Sequence, residues 1–444
     1  MKKREWRGFL ILLALFAAHP AFAQSAPPAG GQTDPAKRPP FTFTFTERVR
    51  QETSDNVASL NDSLPESSSY VRFRTSFMGQ WRPAGGFELG VRLTNENRYY
   101  FAPKTDPKLH KNYDLNEVFF DDLYLKWTPG KLPVTITVGR QDIQLGEGFL
   151  IYDGSPLDGS RSAYFNALRL DFALDRKTTL TGFYVYEPKS DKYLPRIHDV
   201  GQPLVEQNEE GYGFYLAGMA ESWNYEAYVF RKNIEVAGAL PASRINTAGA
   251  RLRMPFAETL SLTAEAALQT GSYGALDRLG WGGYFHLDWK TGAALPLPAL
   301  FILGGIYLSG DDPSTADTYE GWDPAFSRWP KWGESLVYLL ARESRVSYWS
   351  NFNSLYATAQ FALADAVRLN LTWQHLGAGQ RTAPTAFLSG QGTRRGDIGT
   401  AKLTYEINKN FQGHIVWDQF RPGDFYFPGA QSYAWVRFEV SVKY

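Results

Sequence analysis

Arginine is the residue whose placement in this chain could do chemistry. Arg48, Arg50, Arg72, Arg74, Arg82, Arg92, Arg98, Arg169, Arg251, Arg253, Arg368 and Arg437, with Lys402, fall on the polar face of segments whose alternate residues are apolar. A guanidinium is planar, permanently charged and able to bind a carboxylate through two parallel hydrogen bonds. Set along a narrow passage with low-dielectric walls, such groups focus the field and select anions. Fewer acids share the face, among them Glu88, Glu96, Glu226, Glu265, Glu406 and Glu439. The expectation is a net cationic path lined by Arg48, Arg72, Arg74, Arg92, Arg169, Arg251, Arg368 and Lys402, although some of these cations must pair with acids across strands. Tyr124, Tyr215, Tyr228 and Tyr356 share the inner face, where rings could stack on sugars. Trp127, Trp223, Tyr225, Trp289 and Trp417 suit interfacial girdles instead.

Other chemistries find little support. Five histidines outside the first twenty residues (His110, His198, His286, His375, His414) show no metal-ligand or triad spacing. Asp121-Asp122 is a paired acid without a histidine partner. Gly146-Glu147-Gly148 lacks the helix that would make it a phosphate cradle. Asp311, Asp312, Asp317, Glu320 and Asp323 crowd one long connection with Trp322, Trp329 and Trp332, but their spacing fits no defined calcium loop. No catalytic residue, metal, cofactor or nucleic acid is expected, and the absence of cysteine removes disulfides and thiolate ligands.

The elements that must position the arginines follow from period-two alternation. Ala434, Val436, Phe438, Val440, Val442 and Tyr444 share one face of the last segment; Trp435, Arg437, Glu439, Ser441 and Lys443 share the other. Its aromatic end resembles the signal by which the barrel-assembly machinery recognises outer-membrane proteins. The same alternation runs through 41–50, 70–82, 87–94, 115–128, 133–141, 162–173, 177–187, 211–221, 223–232, 246–255, 259–270, 281–290, 299–309, 351–363, 366–376, 396–408, 410–421 and 433–444. This predicts an all-β fold: a single transmembrane antiparallel β-barrel of about 18 strands. Short connections (83–86, 129–132, 175–176, 221–222, 256–258, 364–365, 409) alternate with long ones (51–69, 102–114, 142–161, 188–210, 233–245, 310–350, 377–395, 422–432). Short periplasmic turns and long extracellular loops are what such barrels carry.

Composition agrees. The 444 residues hold 25 Tyr, 30 Phe and 13 Trp, yet mean hydropathy is −0.34, as expected where lipid-facing and water-facing residues alternate. Lys2, Lys3, Arg4 and Arg7, an apolar run to Ala18, and Ala21-Phe22-Ala23 read as an export signal cleaved after Ala23. Residues 1–23 are then signal peptide, 24–40 a disordered periplasmic lead-in rich in Pro and Gly, and 41–444 the barrel. Cleavage removes four basic residues and Glu5, which takes a formally neutral chain to about −3.

One stretch is more specific. Val138-Gly139-Arg140-Gln141, then Gly146-Glu147-Gly148, then Arg161-Ser162-Ala163-Tyr164-Phe165-Asn166-Ala167-Leu168-Arg169-Leu170 resembles the alginate export family over about residues 134–172. Asn166 stands where that family usually has Asp. The alginate exporter has a long turn folded into its pore between late strands; here only Asn408-Lys409-Asn410 connects them, so any plug must come from elsewhere. The resemblance implies a monomeric eighteen-strand barrel passing an anionic polysaccharide through a cationic constriction, with Gly139, Arg140, Gln141, Arg161, Phe165 and Arg169 as motif residues.

The expected function is therefore export of an alginate-like polymer across the outer membrane of a Gram-negative bacterium. The alternative is a substrate-specific porin taking up small anions through the same arginines. A barrel with an enzymatic or adhesive outer face is the remaining class. Expected partners are outer-membrane lipid and lipopolysaccharide, the anionic polysaccharide or small anion, the assembly machinery and a periplasmic export partner.

Overall fold

The computed structural model describes residues 39–64, 67–103, 113–153, 165–199, 201, 203–291, 299–327, 332–345 and 348–444. The export signal and most of the lead-in, to residue 38, fall outside that set. Eighteen strands make the wall: β1 Phe41–Asp55, β2 Ser68–Trp81, β3 Phe87–Ala102, β4 Tyr113–Trp127, β5 Val134–Gln141, β6 Phe165–Ala173, β7 Thr178–Glu187, β8 Glu209–Ala220 and β9 Trp223–Ile234 come first. The second half is β10 Ser243–Ala257, β11 Leu260–Tyr273, β12 Leu276–Lys290, β13 Ala299–Leu308, β14 Phe352–Ala364, β15 Val367–Gly377, β16 Arg394–Asn408, β17 Phe411–Pro422 and β18 Tyr433–Lys443. Each strand pairs antiparallel with the next, and β1 closes on β18 from Thr46↔Lys443 to Asp55↔Ala434. Closure leaves no wall edge with unpaired backbone groups, the condition for a sheet to sit in hydrocarbon.

Alternation sets which side chains face which solvent. Phe43 is 60% exposed on the outer surface, whereas Arg50, on the opposite face of β1, is 1% exposed. The predicted girdle residues Trp223, Trp289 and Trp417 are exposed large aromatics, and Tyr215 and Tyr228 turn inward and are buried. Strand ends moved more than strand identities. β1 runs on past Arg50 to Asp55, which carries Glu52 into the lumen. β11 and β12 extend until only Gly274-Ala275 joins them, with Gly274 at φ 61° as so tight a hairpin requires.

A β-bulge departs from strict alternation. Arg92 pairs with Asp122 while Leu93 pairs with Phe120, so Asp121 is the extra residue. The bulge lets both adjacent carboxylates reach the same arginine.

The apolar core lies inside the barrel. Two connections at the long-loop end fold inward: Ile143–Gln144 pairs with Ile151–Asp153, and Phe326–Ser327 adds to the latter in parallel. Phe149 stacks on Trp322 at 5.4 Å and meets Tyr284 at 5.3 Å, and Trp332 meets Trp349 at 5.6 Å. The single helix among the described residues, α1 (Leu336–Glu343), buries Leu336, Leu339 and Leu340 against this cluster. The plug thus comes from the connections after β5 and β13, and the one between β16 and β17 remains a tight turn.

Candidate solute path

The inward arginines of the first strands form a ladder in which nearly every rung is a carboxylate. Arg50 meets Glu439 at 2.5 Å, Arg72 meets Glu52 at 2.5 Å and Glu96 at 3.7 Å, and Arg74 meets Glu96 at 3.2 Å and Asp121 at 3.0 Å. Arg92 continues it, 2.7 Å from Asp122 and 3.0 Å from Asp142. Arg48 lies 3.9 Å from Glu439 at the lower edge of this system. Burial forces such pairing, because an isolated buried charge costs several kcal/mol.

The cross-strand pairing expected for some of these cations extends to most arginines of the first strands. Glu52, Asp121 and Asp122 are lumenal acids that the strand reading left out of the inner face, one through a misplaced strand end and two through a bulge. Arg169 pairs with Asp171 at 2.9 Å, and Arg251 with Glu226 at 2.6 Å and Glu147 at 2.8 Å. Arg368 is exposed at the short-turn rim, apart from the ladder. Lys402 meets Glu334, from the plug, at 2.8 Å.

The wall made by β8 to β12 is richer in phenols. Tyr215 and Tyr228 stack at 5.3 Å; Tyr215 donates to Glu226, and Tyr228 and Tyr284 each donate to Glu265 at 2.9 Å. Glu147 reaches this wall from the first plug connection and lies 3.4 Å from His286. The hydroxyls of these rings are tied to acids, and Tyr284 also meets Phe149.

Buried polar pairs hold the second plug connection. Lys232 of β9, fully buried, binds Asp323 at 3.2 Å and Glu209 at 2.9 Å. Asp323 also accepts from Tyr348 at 2.7 Å, and burial pushes that phenol well above its usual range. Ser335 donates to Asp418, and Glu343 pairs with Arg395. Among the described residues no group of acids and histidines is placed to hold a metal; Asp323 of the acidic connection binds Lys232.

Two chambers flank the plug. The outer, about 510 Å³, is lined by Tyr319, Tyr348, Arg345, Arg381 and Arg395 among others. The inner, about 310 Å³, is bounded by Trp332, Glu334, Tyr356, Thr358, Thr372, Gln374, Thr400 and Lys402. Cations and flat aromatic faces meet in both, a combination that suits small organic anions. At the foot of the first plug connection, burial and then the neighbouring Asp122 push the Asp142 carboxyl up to about 8.

Four of the motif residues sit where β5 ends and β6 begins. Gly139 has φ 119°, and a Cβ there would lie 2.3 Å from the Leu123 carbonyl oxygen. Arg140 clamps Asp191 through two hydrogen bonds of 2.8 and 3.1 Å, takes the Phe120 carbonyl at 2.8 Å and reaches Asn166 at 3.3 Å. Gln141 donates to backbone carbonyls, and Phe165 is fully buried against Phe326. Together they end β5 and launch the inward connection. Arg161 lies outside the described residues.

No family model matches the chain and no curated protein is similar to it in sequence, so the resemblance to the alginate export family is not supported. Solved structures do match in fold. Pseudomonas aeruginosa OccK11 (OpdR) aligns at TM-score 0.56 and 11% identity over 91% of this chain and 95% of that one. P. aeruginosa OpdK with vanillate aligns at 0.56 and 11% over 90% and 98%, and Acinetobacter baumannii OccAB4 at 0.57 and 11% over 93% and 100%. The fold is that of outer-membrane porins, a closed 18-strand barrel.

Proposed function

We propose that this chain is an outer-membrane channel selective for small organic anions, and that it does not export a polymer. The observation that carries this reading is the plug. Two connections interlock through a shared three-stranded sheet and an aromatic core, and leave chambers of about 310 and 510 Å³. Chambers of that size suit a small molecule. A polysaccharide chain needs a continuous tunnel, and a plug tied to the wall by the Lys232–Asp323 and Arg251–Glu147 pairs disfavours one. The similar fold of OpdK, solved with vanillate, favours the same reading. The outer membrane as the location and the export signal at residues 1–23 belong to this proposal, as does a monomeric channel.

Planar-bilayer recording tests it. The barrel should be anion-selective in a KCl gradient, and benzoate should interrupt its current at concentrations where a polyuronate does not. Cation selectivity, or block by polyuronate alone, would overturn the proposal.

A further inference from the structure

Glu334 carries its carboxylate to two cations at the inner chamber. It belongs to the plug, at the turn that precedes α1, and reaches the far wall of the inner chamber. There it accepts from Lys402 Nζ at 2.8 Å and from the Arg437 guanidinium. Lys402 and Glu334 stay 30% and 24% exposed and line the chamber, while Arg437, 3% exposed, lies behind the glutamate.

The surroundings are polar and aromatic. Hydroxyls of Thr358, Thr372 and Thr400 and the flat faces of Trp332 and Tyr356 bound the space beside the two cations. The remaining acid on that wall, Asp418, is committed to Ser335 and Thr400. Arg437 has a second acid, Glu52, at 3.6 Å, and Lys402 meets Glu334 at 2.8 Å.

We propose that Lys402 and Arg437 form a carboxylate-binding subsite and that Glu334 occupies it as an internal pseudo-ligand. This rests on the anion-channel reading. A solute carboxylate entering the inner chamber exchanges with Glu334 for Lys402 and the outer face of Arg437. The exchange conserves charge at the cations and releases the turn before α1, so the solute itself loosens the plug. No proton moves and no bond forms beyond hydrogen bonds. The competing carboxylate makes the site weak for solute at rest, which suits a channel that must also let its solute go.

Single-channel recording with benzoate as the probe tests the exchange. Glu334→Gln should bind benzoate about tenfold more tightly, as one charge-assisted contact no longer has to be displaced. Glu334→Gln combined with Lys402→Gln should lose that gain. Ser335→Ala loosens the same turn through the neighbouring Asp418 contact and leaves both cations covered, so it should raise current noise without tightening benzoate. Equal benzoate affinity in the parent and Glu334→Gln would overturn the inference, as would an equal gain in Ser335→Ala. Failure of the channel reading is separately visible: it would show as cation selectivity of the parent in KCl, with no benzoate present.

Discussion

At the scale of single residues, the arginines are partners before they are attractors. Arg74 is 2% exposed between Glu96 and Asp121, both fully buried. Removing it takes the nearest cation from two buried carboxylates, and breaking such a pair costs about 3–5 kcal/mol. Arg74→Gln should therefore lower the denaturant midpoint of the refolded barrel clearly, whereas Arg368→Gln, at the exposed rim, should leave it unchanged. An equal effect at both positions would mean that the ladder is not buried as a unit. Asp142 supplies a pH dependence. Its pKa is raised to about 8, so the carboxyl is neutral below that pH and charged above it. Raising pH from 7 to 9 adds a negative charge beside Arg92 and should shift the reversal potential away from anion preference. Asp142→Asn should flatten that shift.

At the scale of the element, one strand faces two solvents, and a substitution is judged by the face it lands on. Phe73 pairs with Val49 and Asn97, and Val440 with Val49 and Gly413, on the outer surface of the barrel. Arginine at either place should cost about 2–4 kcal/mol near the middle of the bilayer. Thr44→Arg, on the inner face of β1, should cost much less. Unfolding of the three variants in lipid vesicles checks this, and equal losses would place the register one residue off. The alternation made these faces legible in advance. The bulge at Asp121 was harder, although it left a mark: Phe119-Phe120-Asp121-Asp122 doubles both kinds of residue and breaks the period. A doubled pair says that one residue is extra without saying which face gains it.

At the scale of the whole molecule, the barrel has a long-loop end and a short-turn end, with both β1 and β18 terminating at the latter. If the long loops are extracellular, protease added to intact cells should cut an epitope placed within 56–64 or 378–393. It should spare one placed at 83–86. Protection of the long loops would reverse the orientation.

The sequence by itself determined the wall. Strand number, antiparallel order, closure and inward face follow from a two-residue period, which is local and which lipid on one side and water on the other enforce at every position. Arg48, Arg72, Arg74, Arg92, Arg169, Arg251 and Lys402 all stand on the inner side, as their parity required. Only the tertiary structure decided what those residues touch. Barrel curvature brings Arg50 to Glu439 and Lys232 to Asp323, and the inward fold of two connections brings Glu147 to Arg251 and Glu334 to Lys402. These partners lie tens to hundreds of residues apart, beyond the reach of any local period. The same inward fold supplies the plug and brings further acids to the inward cations, because buried charges must find counter-charges wherever the chain can supply them.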